Sequence, residues 1–186
     1  MKIISSTIFS KTTAVIFTTY AMCACLVAFA GPTVASEGLK AKAAVHIEEH
    51  KEISRTVVHA VAAGLGGVLE NLKNENERIE LIRSFVAPIR FYSDKSGYFY
   101  VYDSKCVNIA HAIQQELQGK NLCNYQDAEG KYVIRALYEA ARMGGGFVSF
   151  HWAKPGAQKE SAKLGYVEPI PGTDYFIGTG VYLSQE

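Results

Sequence analysis

A series of strand-like segments with short connections after Pro88 is the feature that most constrains the fold of this chain. Tyr98–Tyr102 contains only aromatic and β-branched residues, a composition typical of strands. Antiparallel strands can follow one another directly, whereas parallel neighbours need a long crossover. The sequence therefore predicts a five-stranded antiparallel sheet built from Tyr98–Tyr102, Cys106–Ala110, Phe147–Trp152, Leu164–Ile170 and Tyr175–Leu183.

Three segments with helical periodicity complete an α+β chain. Apolar side chains recur at helical spacing over residues 38–63 and again over Val68–Phe85. Three glycines within Gly64–Gly67 separate these segments, and we expect them to loosen or kink the first helix. A third helix over Tyr132–Met143, ended by a run of glycines, provides the one crossover in the sheet.

The first 36 residues have the order of a secretory signal peptide. Two lysines are the only charges before Glu37, an apolar stretch runs from Thr12 to Ala30, and small residues close the segment. This order predicts export to the periplasm and cleavage near residue 36. Two alternatives stay open, because the apolar stretch approaches the length of a membrane anchor and Cys23 or Cys25 is a weak lipidation site.

The charge balance argues against two classes of partner. The chain has 19 basic and 18 acidic residues and no basic run. Nucleic acids and anionic membrane surfaces attract proteins through clustered lysine and arginine, so we expect neither as a partner. The roughly 150 residues left after cleavage suffice for one domain with its own core.

Cys106 and Cys123 are the only cysteines beyond the predicted signal peptide. A single pair in an oxidising compartment favours a disulfide, which would restrict the unfolded chain by about 3 kcal/mol in the chain-entropy model. Two separate buried thiols are the alternative. No Cys-x-x-Cys-His motif occurs, so the usual covalent haem attachment is excluded.

A set of short motifs follows in order from Arg90 onward. It comprises Arg90 before an aromatic residue, Gly97–Asp103, His111, Leu117–Asn121, Asp127–Gly130, Gly146-Phe147 with Trp152, Lys154–Gly156, Lys163–Val167 and Ile177–Tyr182. Each motif alone is weak. In this order, over about half of the chain, they resemble the single Cache domain of extracytoplasmic bacterial sensors, particularly its type-2 form.

The resemblance implies a PAS-like fold in which a long N-terminal helix packs along a curved sheet, whose concave face holds a small ligand. It divides the chain into a signal peptide (1–36), the N-terminal helical region of the Cache domain (37–89) and the Cache sensor domain (90–186). The implied function is to bind an organic acid, an amino acid or a similar metabolite and to take part in signal transduction. Neither catalysis nor a cofactor is implied. Because no kinase or methyl-accepting segment follows Tyr182, we expect a separate membrane receptor or kinase as partner. The N-terminal helix is a candidate homodimer contact.

Two positions depart from the family pattern. Cys106 lies where a glycine is expected in the turn after Asp103, and Ala112 replaces the proline expected after His111. A disulfide between Cys106 and Cys123 would hold a turn that glycine otherwise permits.

Strand alternation assigns aromatic side chains to a candidate ligand face. Alternate residues share a face, so Tyr98, Tyr100 and Tyr102 point to one side of their strand, and Phe150 shares a face with Trp152. Aromatic walls with hydroxyl tips suit a ligand site that is largely apolar and carries few polar groups. The alternative is that these aromatics fill a core.

Three basic residues indicate the charge of the ligand. Arg90 has a donor fork matched to a carboxylate, Lys163 supplies a point charge, and His111 can donate a hydrogen bond or switch protonation near neutral pH. If two of these residues lie at the tyrosine face, the ligand is expected to be an anion. The alternative is that Arg90 caps the second helix and that Lys163 is a solvated residue at the end of a strand. The predicted ligand-binding set is Arg90, Tyr98, Tyr100, His111, Phe150, Trp152, Lys163 and Tyr166.

Two other functions are alternatives. His46-Ile47-Glu48-Glu49-His50 fits the zinc-binding pattern of inverted metalloproteases, since positions 46 and 50 share a helix face. Its surroundings are charged and no third ligand is evident, so adventitious metal binding is the milder interpretation. Non-covalent haem binding through His111 or His151 is the second alternative.

Overall fold

The structure, a computed structural model, describes residues 33–183. The predicted signal peptide falls almost entirely outside this range. The chain divides into two compact units after Ile47, and the unit from Glu48 onward contains the sheet. Within residues 33–183, no helix combines the length and the apolar character that crossing a membrane requires.

Three α-helices and five strands make up the described chain, which confirms the α+β prediction. The elements are α1 (Thr33–Leu69), α2 (Glu75–Val86), β1 (Tyr100–Asp103), β2 (Asn108–His111), α3 (Val133–Arg142), β3 (Gly146–Ala153), β4 (Glu160–Pro169) and β5 (Tyr175–Tyr182). Every neighbouring pair of strands is antiparallel, in the order β2-β1-β5-β4-β3. Helix α3 provides the predicted crossover, between β2 and β3.

Helix α1 continues through Gly64, Gly66 and Gly67, so these glycines do not separate two helices as the sequence predicts. Each glycine costs a helix about 1 kcal/mol relative to alanine, but burial of the apolar side offsets this cost. Gly66 also has a packing reason, because a Cβ atom there would lie 2.9 Å from the carbonyl oxygen of Pro171. The buried side chains of this half of the helix are Val58, Ala62, Leu65 and Leu69.

Helix α2 begins at Glu75, seven residues later than the periodicity predicts, because α1 extends to Leu69. The Oδ1 atom of Asn74 accepts hydrogen bonds from the backbone N–H groups of Asn76 and Glu77, at 2.9 and 3.4 Å. Such an N-cap satisfies donors that the first helical turn leaves open. The cap therefore fixes where the helix starts.

The sheet is buried on both faces. One face packs against the second half of α1 and against α2, through a core that includes Phe99, Val101 and Ile177. The opposite face packs against α3 and includes Tyr98, Tyr100, Tyr102, Phe150 and Trp152. This division confirms the predicted alternation along the first strand and the shared face of Phe150 and Trp152.

The turn between β1 and β2 contains the predicted disulfide. Cys106 and Cys123 are bonded, with their Cα atoms 5.2 Å apart, so the alternative of two separate thiols is wrong. Cys106 adopts a backbone φ of 64°, a left-handed conformation that favours glycine. The carboxylate of Asp103 supports the same turn by accepting the backbone N–H groups of Lys105 and Val107. The disulfide thus holds the turn in which the family pattern places a glycine.

Two glycines of α1 form a matched pair for testing the helix packing. We expect Gly66→Ala to lower the free energy of unfolding by about 1–3 kcal/mol, because the new methyl group meets the backbone at Pro171. A Cβ atom at Gly67 would have no neighbour within 4 Å, so Gly67→Ala should raise stability by about 0.5–1 kcal/mol through helix propensity. Urea denaturation measures both changes. Equal effects of the two substitutions would contradict the close contact.

The conformation of Cys106 predicts a difference between two double variants that both lack the disulfide. Cys106→Gly with Cys123→Ser should be more stable than Cys106→Ala with Cys123→Ser by about 1 kcal/mol, because only glycine adopts a positive φ without strain. Both should be less stable than the oxidised chain by about 2–4 kcal/mol. Thermal denaturation followed by circular dichroism measures the order, and an alanine variant at least as stable as the glycine variant would contradict it.

Candidate functional site

A cavity lies between the tyrosine face of β1 and helix α3. The empty space inside it, counting its opening to solvent, is about 210 Å³. Its lining is Tyr98, Tyr100, Tyr102, His111, Val133, Ile134, Leu137, Phe150, Trp152 and Lys163. Six of the predicted ligand residues therefore meet at one cavity: Tyr98, Tyr100, His111, Phe150, Trp152 and Lys163.

Glycines on two central strands make room for the aromatic rings of this cavity. A Cβ atom at Gly165 of β4 would lie 2.7 Å from the ring of Phe150 and 2.9 Å from the hydroxyl of Tyr100. A Cβ atom at Gly178 of β5 would lie 2.6 Å from the ring of Tyr100. Glycine within a strand often marks such a close approach. The two strands thus leave the space that the rings occupy.

Lys163 provides the ammonium group of the cavity. Its side chain is only 1% exposed, and its Nζ atom donates a hydrogen bond to the hydroxyl of Tyr98 at 3.0 Å. Nζ also lies 4.1 and 4.6 Å from the ring centroids of Tyr98 and Tyr182, in cation–π contact. None of the ion pairs formed among the described residues includes Lys163. The alternative of a solvated strand end is therefore wrong.

Burial disfavours the charged form of this lysine. Removal from water lowers the pKa of Lys163 to about 7. Near neutral pH its amine therefore exchanges between the ammonium and the neutral form. Any anion that enters the cavity favours the ammonium form, since opposite charges attract strongly where water is excluded.

His111 provides a second donor, and its hydrogen bonds fix which nitrogen carries the proton. Its Nδ1 atom accepts the backbone N–H groups of Ile113 and Gln114, at 3.3 and 2.9 Å. A neutral ring that accepts at Nδ1 carries its proton on Nε2. The pKa of His111 is lowered to about 3 by burial and then by the positive charges of Lys163 and Arg90. His111 therefore presents a neutral N–H donor across the physiological pH range, and the predicted switch of its protonation near neutral pH is wrong.

The far end of the cavity is apolar. Helix α3 contributes Val133, Ile134 and Leu137, all buried. On the aromatic side, the Nε1–H group of Trp152 donates to the side chain of Gln114 at 2.7 Å, so the indole has its polar atom satisfied. The arrangement gives an amphipathic space, with donors at Lys163 and hydrocarbon at the helix.

Two predicted ligand residues do not line the cavity, and Arg90 is the first of them. Its guanidinium donates to three backbone carbonyl groups, those of Ala87, Ile89 and Ala112, at 3.0, 2.6 and 2.6 Å. Ala87 is the C-cap of α2, so Arg90 makes the helix-capping contact that is the alternative to ligand binding. A ligand role for Arg90 stays a prediction. Its charge reaches the cavity nevertheless, since it contributes to the lowered pKa of His111.

Tyr166, the second of these residues, lies on the opposite face of the sheet. It belongs to the core shared with α1 and α2, and its hydroxyl donates to the carboxylate of Glu168 at 2.8 Å. Strand alternation explains this position, because Tyr166 and Lys163 are an odd number of residues apart on one strand. The same rule, applied within β4, removes Tyr166 from the predicted ligand set.

Sequence reasoning misses the apolar wall of the cavity. Periodicity places Val133 and Leu137 on the inward side of the third helix, but nothing in the sequence indicates that this side faces a ligand rather than a core. Ile134 carries no signal beyond its hydrophobicity. Tyr102 lies on the face that strand alternation predicts, although the predicted ligand set does not include it.

The alternatives that require metal or haem gain no support from the described residues. Across residues 33–183, no three His, Cys, Asp or Glu side chains are grouped as a metal ion requires. His151 does not line the cavity, and its backbone N–H donates to the carboxylate of Asp127 at 2.8 Å. His111, the other candidate haem ligand, lines the cavity with its Nδ1 atom accepting two backbone N–H groups.

Comparison with known proteins places the chain among bacterial sensors. A family model described as the Cache domain matches residues 42–186. The sensor histidine kinase MctS of Rhizobium johnstonii is 38% identical over 89 residues, which cover 48% of this chain and 19% of the kinase. The methyl-accepting chemotaxis protein McpP of Pseudomonas putida is 27% identical over 118 residues, which cover 63% of this chain and 21% of McpP. The matches thus span about a fifth of these relatives.

Solved structures cover the fold more completely. The crystal structure of a methyl-accepting chemotaxis protein from Vibrio parahaemolyticus has a TM-score of 0.67 and 31% identity, covering 78% of this chain and 96% of that one. A periplasmic sensor domain of a chemotaxis protein has a TM-score of 0.65 at 26% identity, covering 74% and 96%. A Cache chemosensory domain that recognises carboxylic acids has a TM-score of 0.65, covers 74% and 95%, and at 24% identity shows the shared fold.

These matches agree with the architecture described above. Cache domains are extracellular or periplasmic sensors, and the matched kinase and chemotaxis proteins carry them as sensor domains, not as enzymes. The metalloprotease alternative therefore has no support among the relatives. With a family match that extends over residues 42–186, this chain belongs to the Cache domain family.

Proposed function

We propose that this domain is a periplasmic sensor that binds a small carboxylate in the cavity between β1 and α3. The observation that carries the proposal is a buried lysine amine with no acidic partner among the described residues. A buried charge is costly unless it is paired. A carboxylate from solution supplies the missing charge, so the site gains most from an anionic ligand.

The donors suit the two oxygen atoms of a carboxylate. Lys163 offers its ammonium group, and the neutral ring of His111 offers an N–H group at Nε2. Hydrogen bonds between charged donors and carboxylates are about twice as strong as neutral ones. Arg90 does not line the cavity, but its positive charge acts on His111 and so adds to the positive potential there.

The rest of the cavity favours an organic acid over an amino acid. None of the lining residues is acidic, so the α-ammonium group of an amino acid would have no counter-charge among them. The hydrocarbon of Ile134 and Leu137 instead suits a short alkyl or similarly apolar tail. The small size of the cavity favours a ligand of a few carbon atoms.

A sensor domain acts through a signalling module that reads its bound state. The related sensor histidine kinase and chemotaxis protein match this chain over segments that cover about a fifth of their own length. We propose that the bound state of this domain is read by a membrane receptor or kinase in the same way. We also propose that the N-terminal segment directs export of the protein. The domain is further proposed to form a homodimer through α1.

Substitution of Lys163 tests the binding mode. Lys163→Met keeps a similar volume, and we expect it to weaken carboxylate binding about 30-fold or more, since it removes a charge-assisted hydrogen bond from a buried site. Isothermal titration calorimetry with a panel of short-chain carboxylates measures the loss. The variant should be at least as stable as the wild type, because an unpaired buried amine is replaced by hydrocarbon.

Lys154→Met is the matched control for this experiment. Lys154 forms an exposed ion pair with Asp94 at 2.9 Å, away from the cavity. Its substitution should leave the affinity unchanged. Wild-type protein that binds none of the carboxylates, or Lys163→Met protein that binds them as well as the wild type does, would contradict the proposal.

The lowered pKa of Lys163 predicts a pH-dependent affinity. The carboxylate binds the ammonium form, so binding raises the pKa of Lys163 from about 7 and takes up a proton above that pH. Affinity should be level well below pH 7 and fall by up to about tenfold per pH unit above it. Calorimetry at about pH 8 in phosphate and in Tris should give different apparent enthalpies, because the buffers release that proton at different heats. Identical enthalpies, or an affinity that does not change with pH, would contradict the role of Lys163.

A further inference from the structure

A chain of three hydrogen bonds connects the cavity amine to the backbone of β3. Lys163 donates from Nζ to the hydroxyl of Tyr98 at 3.0 Å. The hydroxyls of Tyr98 and Tyr182 are hydrogen-bonded at 3.0 Å, and Tyr182 donates to the carbonyl oxygen of Ala153 at 2.7 Å. Lys163 and Tyr182 are also directly opposite each other in the register of β4 and β5.

The last acceptor fixes the direction of the whole chain. A carbonyl oxygen only accepts, so Tyr182 must use its one hydroxyl proton on Ala153. Tyr98 must then donate its own proton to Tyr182. The oxygen of Tyr98 consequently faces Lys163 as an acceptor, which is the arrangement that favours an ammonium group.

We propose that Tyr182, which does not line the cavity, is a positioning residue that keeps Lys163 charged and thereby sets the affinity of the site for anions. The second half of this inference rests on the proposed carboxylate function; the first half concerns the ligand-free protein. Tyr182 acts through Tyr98 and does not touch the ligand. Its effect on binding is therefore electrostatic and depends on the protonation of Lys163.

Loss of the Tyr182 hydroxyl reverses the preference at Tyr98. Without its acceptor, the Tyr98 hydroxyl can turn its proton toward the lone pair of Lys163 instead. Only the neutral amine has such a lone pair, because an ammonium group is a donor alone. A hydrogen bond to the neutral form lowers the pKa of a lysine, so Tyr182→Phe shifts Lys163 toward its neutral form.

The other groups around Lys163 do not titrate near neutral pH. Burial raises the pKa values of Tyr98, Tyr100 and Tyr182 above the ordinary value for tyrosine, and burial lowers the pKa of His111 to about 3. Arg90 contributes to the lowered pKa of His111. Helix α3 and β3 contribute only apolar and aromatic side chains to the lining: Val133, Ile134, Leu137, Phe150 and Trp152. A titration between about pH 5 and pH 9 in the cavity therefore reports on Lys163.

Titration of the ligand-free protein tests the inference directly. In protein labelled with ¹³C at the lysine ε-carbon, the Lys163 resonance is identified by its loss in Lys163→Met. We expect its titration midpoint to fall by about one pH unit in Tyr182→Phe, the effect of one hydrogen bond to a charged group. Tyr98→Phe, which removes the acceptor itself, should lower the midpoint at least as far. An unchanged midpoint in Tyr182→Phe would overturn the inference.

Binding measurements then separate a positioning role from a merely structural one. Tyr182→Phe should bind a short-chain carboxylate about tenfold more weakly at about pH 8 and equally well at about pH 5, where Lys163 is charged in both proteins. An equal loss at both pH values would mean that the cavity is distorted, and would overturn the electrostatic role. Tyr138→Phe is the control, since Tyr138 packs against Phe176, outside the chain of hydroxyls.

The two proposals fail separately. If the wild type binds no carboxylate, the proposed function fails, while the titration of the ligand-free site still decides the effect of Tyr182 on Lys163. If the wild type binds with the expected pH dependence and Tyr182→Phe has the same profile, only the role of Tyr182 fails.

Discussion

Burial of the sheet on both faces is the constraint on which the rest of this structure depends. A slip of one residue in β1 would exchange its two sets of side chains, moving Tyr100 and Tyr102 into the core shared with α1 and α2 and Val101 into the cavity. Neither face of the sheet could accommodate the side chains of the other face, which differ in shape and in their hydroxyl groups. Thr179 reinforces the register by donating its hydroxyl to the carbonyl oxygen of Tyr98 at 2.7 Å. The positions of the cavity hydroxyls are therefore a consequence of packing on both sides of the sheet.

This packing buries the amine of Lys163 without an acidic partner among the described residues. Lys154 shows the ordinary arrangement for a lysine, an exposed pair with Asp94 that is screened by water. Lys163 has only aromatic faces and a tyrosine hydroxyl around its amine. These neutral groups stabilise a charge less than a carboxylate does. The difference between the two lysines is what distinguishes a site for an anionic ligand from a structural ion pair.

Much of this arrangement could be predicted from the sequence, because it depends on local rules. Strand alternation places Tyr98 and Tyr100 on one face, and the cysteine in place of glycine at position 106 matches a left-handed turn. The break expected between two helices at Gly64–Gly67 is wrong because tertiary burial outweighs glycine propensity. The three carbonyl acceptors of Arg90 lie on residues before and after β1, a placement that only the folded backbone defines. The apolar wall from α3 and the role of Tyr182 likewise require contacts between distant parts of the chain.

The helical layer and the cavity are physically linked through β2. Arg83 of α2 donates to the carbonyl oxygen of Ile109 at 2.8 Å, and Arg90 donates to that of Ala112 at 2.6 Å. These two contacts flank His111, whose ring lines the cavity. Because Arg90 also caps α2 through Ala87, a shift of β2 on the cavity side cannot occur without moving the hydrogen bonds that anchor α2. Arg83 and Arg90 therefore connect the helical layer to the strand that carries His111.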